Sequence, residues 1–320
     1  MLTRRAALAA PLILTATRPG LAQHAWPAQG VRFIVPYSPG GASDIAARLL
    51  AEQLTGLWKQ SVVVENRTGA NGIIGEDVVA KSAPDGYNLG FVSVNHAVNA
   101  ALYKTPFDTV KDFSAISVIY SVPLVLVTSP DFPAKSVQEL AAMVKARPGE
   151  VTFAGTGGAV HLSAEMFSMR AGGTMTHIPY RGSTAAHPDL LARRVDVMFD
   201  TLPAVLGHVQ GGKLKALAVT AAQRVPVLPD VPTIAEAAFP GFEASTWGAI
   251  LGPAGISGEI ATKIATDAAA QLKVPSVKER LETLGATPVG STPEQAQTFV
   301  RAEVAKWGEV VAKAGIEKQG

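Results

Sequence analysis

No cysteine occurs among the 320 residues. That absence removes disulfides, thiolate metal sites and cysteine nucleophiles together, so stability has to come from packing. Clustered charge of one sign is also missing. Lys and Arg number 28 against 26 Asp and Glu, a formal net charge of +2, and no basic run exceeds a pair. Such a chain carries no nucleic-acid footprint, and no nucleic-acid partner is expected. No segment reaches the ~20 apolar residues of a membrane-spanning helix. The motifs of covalent and metal-assisted hydrolysis are absent as well, with no G-x-S-x-G elbow, H-E-x-x-H or Ser-x-x-Lys. No cofactor and no catalytic residue is expected, although scattered histidines and acids can still meet in space.

What is present begins with an export signature. Residues 1–5 are basic, 6–16 form a short apolar run, and Gly20-Leu21-Ala22 is a small-x-small cleavage site. A signal peptide over residues 1–22 is expected, leaving a soluble periplasmic protein. Sec export and, from Arg4-Arg5, twin-arginine export both stay open.

From residue 31 onward strand and helix patterns alternate. Residues 31–35 read as an apolar strand, and Ala46, Leu49, Leu50, Leu54 and Leu57 then recur at helical spacing. Strands are expected at 61–65 and 88–94, with a helix at 74–81, which is the rhythm of a parallel α/β sheet. Residues 115–128 break it with one long β-rich stretch around Pro123. A second series follows, with strands at 151–154, 176–180, 195–199 and 216–220 and capping boxes at Ser136/Glu139 and Thr233/Glu236. Residues 245–251 read as a second crossing strand, and helices at 258–272 and 276–284 and a last one capped by Thr292 end the chain. Two lobes are expected, one from 23–122 plus 248–320 and one from 123–247, with a cleft between them.

The stretch VPYSPGGASDIAARLLAEQL, residues 35–54, runs from strand through a Pro39-Gly40-Gly41 turn into a helix. The first N–H groups of a helix lack partners and the helix dipole is positive there, so this corner suits an anion without needing a cationic side chain. Asp44 has two readings, a direct ligand contact or a cap that turns inward to hold the loop. The Gly69–Gly75 segment lacks the G-x-G spacing of a dinucleotide loop. Thr156, Gly157 and Gly158 form a second glycine corner. His161 and Glu165 share a helical face, as a structural pair or two legs of a metal site lacking a third. Tyr180, Arg181 and Gly182 form another corner, where Arg181 suits a carboxylate or plain solvent. Asp200 ends a strand, where an acid commonly faces a cleft, and Asn95 and His96 are further polar candidates.

The pattern Val35-Pro36-Tyr37-Ser38-Pro39-Gly40-Gly41 with Asp44, then Val64-Glu65-Asn66-Arg67, Ala83-Pro84-Asp85-Gly86-Tyr87, Pro179-Tyr180-Arg181-Gly182-Ser183, Val195-Asp196-Val197-Met198-Phe199-Asp200 and Leu228-Pro229-Asp230-Val231-Pro232-Thr233 resembles the Bug-type solute receptors of tripartite tricarboxylate transporters. The resemblance covers essentially the whole mature chain. It implies a monomeric Venus flytrap of the type II-like periplasmic binding proteins. Each lobe is then a mostly parallel sheet flanked by helices, with two crossing strands as hinge. It also implies a small carboxylate as ligand (a di- or tricarboxylate, an amino acid or an aromatic acid) and membrane permease subunits as partners. The loop carrying Tyr37 and residues 39–44 and the region of Thr156 then clasp a carboxylate, partly through water, while Asp200 and its neighbours meet the far end. A sensor for a membrane kinase shares all these residues, and a periplasmic hydrolase or lyase on the same scaffold is a further alternative.

Overall fold

The computed structural model describes residues 26–319, so the expected signal peptide lies outside the described residues. The first half of the chain forms β1 (Val31–Val35), α1 (Ala42–Trp58), β2 (Val62–Asn66), a single 3-10 turn, α2 (Ile73–Ala80), β3 (Asn88–Ser93), α3 (Asn95–Leu102) and β4 (Phe113–Thr128). Next come α4 (Val137–Ala146), β5 (Thr152–Gly155), α5 (Gly158–Ala171), β6 (Thr176–Pro179), α6 (Ser183–Leu191), β7 (Val197–Thr201), α7 (Leu202–Gln210), β8 (Lys215–Val219) and α8 (Ile234–Ala237). The chain closes with β9 (Ser245–Pro253), α9 (Gly258–Gln271), α10 (Pro275–Thr283), the two-residue β10 (Thr287–Pro288) and α11 (Pro293–Lys313).

Apart from the exposed Arg32, β1 is apolar, and its buried residues face covered sides of the sheet, the usual state of a parallel strand. Phe33 and Val35 pack into one core and Ile34 into another. α1 buries Ala46, Ala47, Leu50, Ala51 and Leu54 along one stripe, and it stops where Lys59 turns left-handed at φ 56°.

The strand order is β2-β1-β3-β9-β4-β7-β5-β6, with β8 and β10 added on β4. β1 runs parallel to β2 and β3, and β5 runs parallel to β6 and β7. The rest are antiparallel: β9 to β3 and β4, and β4 to β7. Up to Pro123 β4 pairs with β9, and from Leu124 it pairs with β7 and β8. One strand therefore belongs to both lobes.

These registers decide which way the strands point. β3 is antiparallel to β9, and β9 to β4, so β3 runs with β4 toward the joint; β7 runs against β4 and reaches the joint from the other side. Ser93, the last residue of β3, is level with Gly248 and hence with Tyr120, while Thr201, the last of β7, is level with Leu124. At ~3.3 Å per residue the two ends stand about 13 Å apart along β4. The carboxyl ends of both parallel sets thus face each other across a gap.

The joint is tied by side chains. The fully buried Thr220 hydroxyl accepts the Leu124 N–H at 2.8 Å and donates to the Ala244 carbonyl at 2.6 Å. On α11, Glu303 Oε2 accepts both indole N–H groups of Trp247 and Trp307, at 2.9 and 3.0 Å.

Several boundaries depart from the sequence reading. The Thr233/Glu236 box is complete, but at α4 the Glu139 carboxylate takes the Lys135 N–H instead of reaching back to Ser136, so that box is half formed. α5 starts at Gly158, where Gly157 at φ 85° makes the entry turn. β10 was not expected, since a two-residue strand has no periodicity of its own and exists only through Tyr120 and Ser121.

Candidate functional site

Strand-to-helix corners of the two lobes lie on either side of the joint. At the first, Gly40 and Gly41 are exposed, Gly40 sits at φ 82°, and Gly41 caps α1 without a side chain. The Ile45 N–H makes the first helical bond, to the Gly41 carbonyl at 2.9 Å. The N–H groups of Ala42, Ser43 and Asp44 therefore have no helical acceptor.

Asp44 is turned inward and is 3% exposed. Its Oδ2 accepts the Gly40 N–H and Arg48 Nε, each at 3.0 Å, and its Oδ1 accepts Asn66 Nδ2 at 2.8 Å and Arg48 Nη2 at 2.9 Å. Burial alone would raise this carboxyl, but the donors from Arg48, Gly40 and Asn66 outweigh it and hold the group below the usual carboxylate range. Of its two readings, the geometry is that of the loop-holding cap. Tyr37 ties this corner to the third: its Oη accepts the Ser93 N–H at 3.0 Å. Burial first, and the Glu76 carboxylate second, push its phenol up. Pro39 is exposed at the turn.

The second corner turns through four consecutive positive φ values, from Gly69 to Gly72. Asn71 is held there by Asn99, through Nδ2 to Oδ1 at 2.8 Å and a return bond from Asn99 Nδ2 to the Asn71 carbonyl at 3.0 Å. At the third corner Asn95 Nδ2 reaches Asn71 Oδ1 at 3.4 Å. Its Oδ1 stands 3.4 Å from where a Cβ on Gly158 would lie, so the two lobes approach each other here. His96 does not share this rim. It is fully buried, with Nδ1 3.0 Å from Glu76 Oε2 and Nε2 3.1 Å from the Thr109 carbonyl, because residue 96 of α3 faces inward where residue 95 faces out.

Across the gap, Thr156 is half-buried and Gly157 exposed at the entry of α5. The first helical bond runs from His161 N–H to the Gly157 carbonyl at 3.3 Å, which leaves the N–H groups of Gly158, Ala159 and Val160 without helical acceptors. The His161 ring itself is committed elsewhere. Nε2 lies 3.2 Å from Glu165 Oε1 and the ring stacks at 4.0 Å on His177. A Cβ on Gly155 would fall 2.3 Å from His177 Nε2, so glycine is required beneath that stack. Burial, then the neighbouring His161, lowers the His177 pKa. Among the described residues no group of three His, Cys, Asp or Glu could hold a metal ion.

Tyr180 is likewise tied down, donating to Asp189 Oδ2 at 2.8 Å while Arg194 pairs with the other oxygen. Arg181 is exposed, beside Gly182 at φ 152°. Asp200 does not open into the gap as expected of a strand-end acid; it is 1% exposed. Its Oδ1 accepts the Ser183 hydroxyl at 2.8 Å and the Thr201 N–H at 2.7 Å, and its Oδ2 lies 2.9 Å from His187 Nε2. Ser183 and His187 both turn to the acid, and the serine proton goes to Asp200, so this is no activated nucleophile.

Sequence reasoning missed Arg48, Asn71 and His187, and the tie of Ser183 to Asp200. The i,i+4 spacing of Asp44 and Arg48 was a signal for the first, but the others needed the folded neighbours.

The model of a family described as the tripartite tricarboxylate transporter family receptor matches residues 46–316. Protein BugT of Bordetella pertussis is 41% identical over 295 residues, spanning 91% of this chain and 90% of its own. Of the solved structures, R. palustris Rpa4515 with adipate is 38% identical with a TM-score of 0.73, covering 92% of this chain and 100% of that one. MatC from Rhodopseudomonas palustris with bound malate is 30% identical with a TM-score of 0.69, covering 89% and 100%. The chain belongs to the receptor family of the tripartite tricarboxylate transporters, a family of two-lobed solute receptors and not of enzymes.

Proposed function

We propose that this protein captures a small organic carboxylate between its lobes and presents the loaded form to membrane permease subunits of a tripartite tricarboxylate transporter. The observation that carries the reading is the pair of glycine corners on opposite sides of the joint. Each leaves three helix-start N–H groups without a helical acceptor, 42–44 on one side and 158–160 on the other. Neutral donors of this kind hold an anion without a cationic side chain. The structures with adipate and malate support a carboxylate as ligand class.

On this reading the lobes are 23–122 plus 248–320 and 123–247, hinged where β4 changes partners and where β9 begins. The protein works in the periplasm as a monomer after removal of residues 1–22. Tyr37, residues 39–41, Asn95, Thr156, Gly157, Arg181 and Gly182 line the ligand. Asp44, His96, His161, Tyr180 and Asp200 support them from behind.

A thermal-shift screen of carboxylates, sugars and amines tests this. A ligand at 100 times its Kd adds ~2.7 kcal/mol to stability, a shift of several degrees. Stabilisation by sugars or amines and by no carboxylate would refute the reading.

A further inference from the structure

One buried tie joins the first glycine corner to the strands of the joint. Ser43, in the first turn of α1, and Tyr120 of β4 are both buried, and their hydroxyls share a hydrogen bond at 3.1 Å. Burial pushes the Tyr120 phenol up to about 12, so it keeps its proton at neutral pH. Its ring is fixed on the sheet: a Cβ on Gly248 of β9 would fall 2.2 Å from Tyr120 Cε1, and Phe91 of β3 stacks at 6.4 Å. Gly248 is level with Tyr120 on one side and with Ser93 on the other, and the Ser93 N–H goes to Tyr37 Oη. One row across β4, β9 and β3 therefore anchors both ends of the Tyr37–Asp44 corner.

The first turn of a helix has no N–H bonds of its own, so side chains have to hold it. Gly41 offers none and Ala42 is exposed, which leaves Ser43 and Asp44. Asp44 works within the turn, on α1 and on β2, through Gly40, Arg48 and Asn66. Ser43 reaches β4 itself, at Tyr120, three residues before the last residue that pairs with β9, Pro123.

We infer that Tyr120 is a positioning residue for ligand capture: through Ser43 it holds the N–H groups of residues 42–44 in the binding geometry, although it lies behind the rim. Without the tie the first turn frays, and the apparent affinity falls by the fraction of molecules in which the three donors remain aligned. This inference rests on the carboxylate-receptor reading and adds a residue to its machinery.

Calorimetric titration of the parent, Tyr120→Phe, Ser43→Ala and the double variant with adipate, malate, succinate and citrate tests this. Tyr120→Phe keeps the ring and its packing on Gly248, so the fold is retained. For the acid that the parent binds tightest, each single change is expected to weaken binding about tenfold, and the double change by no more than about twofold further, because both break one hydrogen bond. NMR relaxation of the ligand-free protein gives a second readout. Backbone order parameters at residues 42–44 are expected to fall in Tyr120→Phe while those at residues 158–160 hold, a split that general loosening does not produce. Parental affinity in Tyr120→Phe, losses that multiply in the double variant, or unchanged order parameters at residues 42–44 would overturn the inference and leave the carboxylate receptor standing. If the parent binds none of these acids, the order parameters alone decide the tie, and the thermal screen decides the carboxylate reading.

Discussion

Asp44 Oδ2 accepts the N–H of Gly40 at 3.0 Å, folding the glycine turn back onto the first turn of its own helix. A carboxylate that would otherwise repel an anionic ligand thereby becomes part of the scaffold that presents the free donors. Arg48 and Asn66 complete the arrangement from two other directions.

Replacing Asp44 by Asn removes the charge that holds these donors and is expected to cost about 1–3 kcal/mol at pH 7. The folded-state pKa is depressed, so the stability Asp44 adds is present in full above its unfolded value near 4, at about 3.9, and is lost as pH falls through the folded value. Urea unfolding at pH 7 and pH 3 checks this: the gap between parent and variant should narrow in acid, and an equal gap at both would contradict it.

Gly41 has a φ of −73°, and a Cβ there would meet only the Ser38 carbonyl, at 3.5 Å. Gly41→Val is therefore expected to fold with a stability loss of about 1 kcal/mol, the penalty for a poor cap residue. Ligand affinity should fall at least ~30-fold, because the side chain covers the N–H groups of residues 42–44. Calorimetry with a bound carboxylate, alongside urea unfolding, separates the two effects.

Asp200 is buried with both oxygens engaged, so Asp200→Ala strands the Ser183 hydroxyl, the His187 ring and the Thr201 N–H together. A loss of about 2–4 kcal/mol is expected. Asp200→Asn retains one acceptor and should recover part of it. Denaturant midpoints of the two variants give the ranking, and equal midpoints to the parent would remove the supporting role assigned here.

Glu303 serves both Trp247 and Trp307 and also pairs with Lys306. Glu303→Ala leaves two buried indole donors unsatisfied and should cost about 3–5 kcal/mol. Because the pair sits where β9 meets α11, tryptophan fluorescence should shift in the native state of the variant. An unshifted spectrum with parental stability would show that the carboxylate does not hold the joint.

Local elements were legible where local physics decides them. β1 and α1 follow from a short, mostly apolar run and a helical stripe, and the corners from glycines at strand ends. Side-chain direction was not. Asn95 and His96 are neighbours in sequence, yet one faces Gly158 of the other lobe and the other is sealed against Glu76 and Thr109. Asp200 and Tyr180 looked free because their partners, Ser183, His187 and Asp189, lie on α6, whose facing is set by packing on the sheet.

The donors themselves are determined by sequence alone: a helix start has N–H groups without acceptors wherever it forms, and glycine leaves them uncovered. Which corners face one another, and which acids and cations remain uncommitted between them, was decided only in three dimensions. Those outcomes depend on strand registers and hydrogen bonds between residues far apart in the chain, such as Leu124 with Thr201 and Ser43 with Tyr120, and no local pattern encodes them.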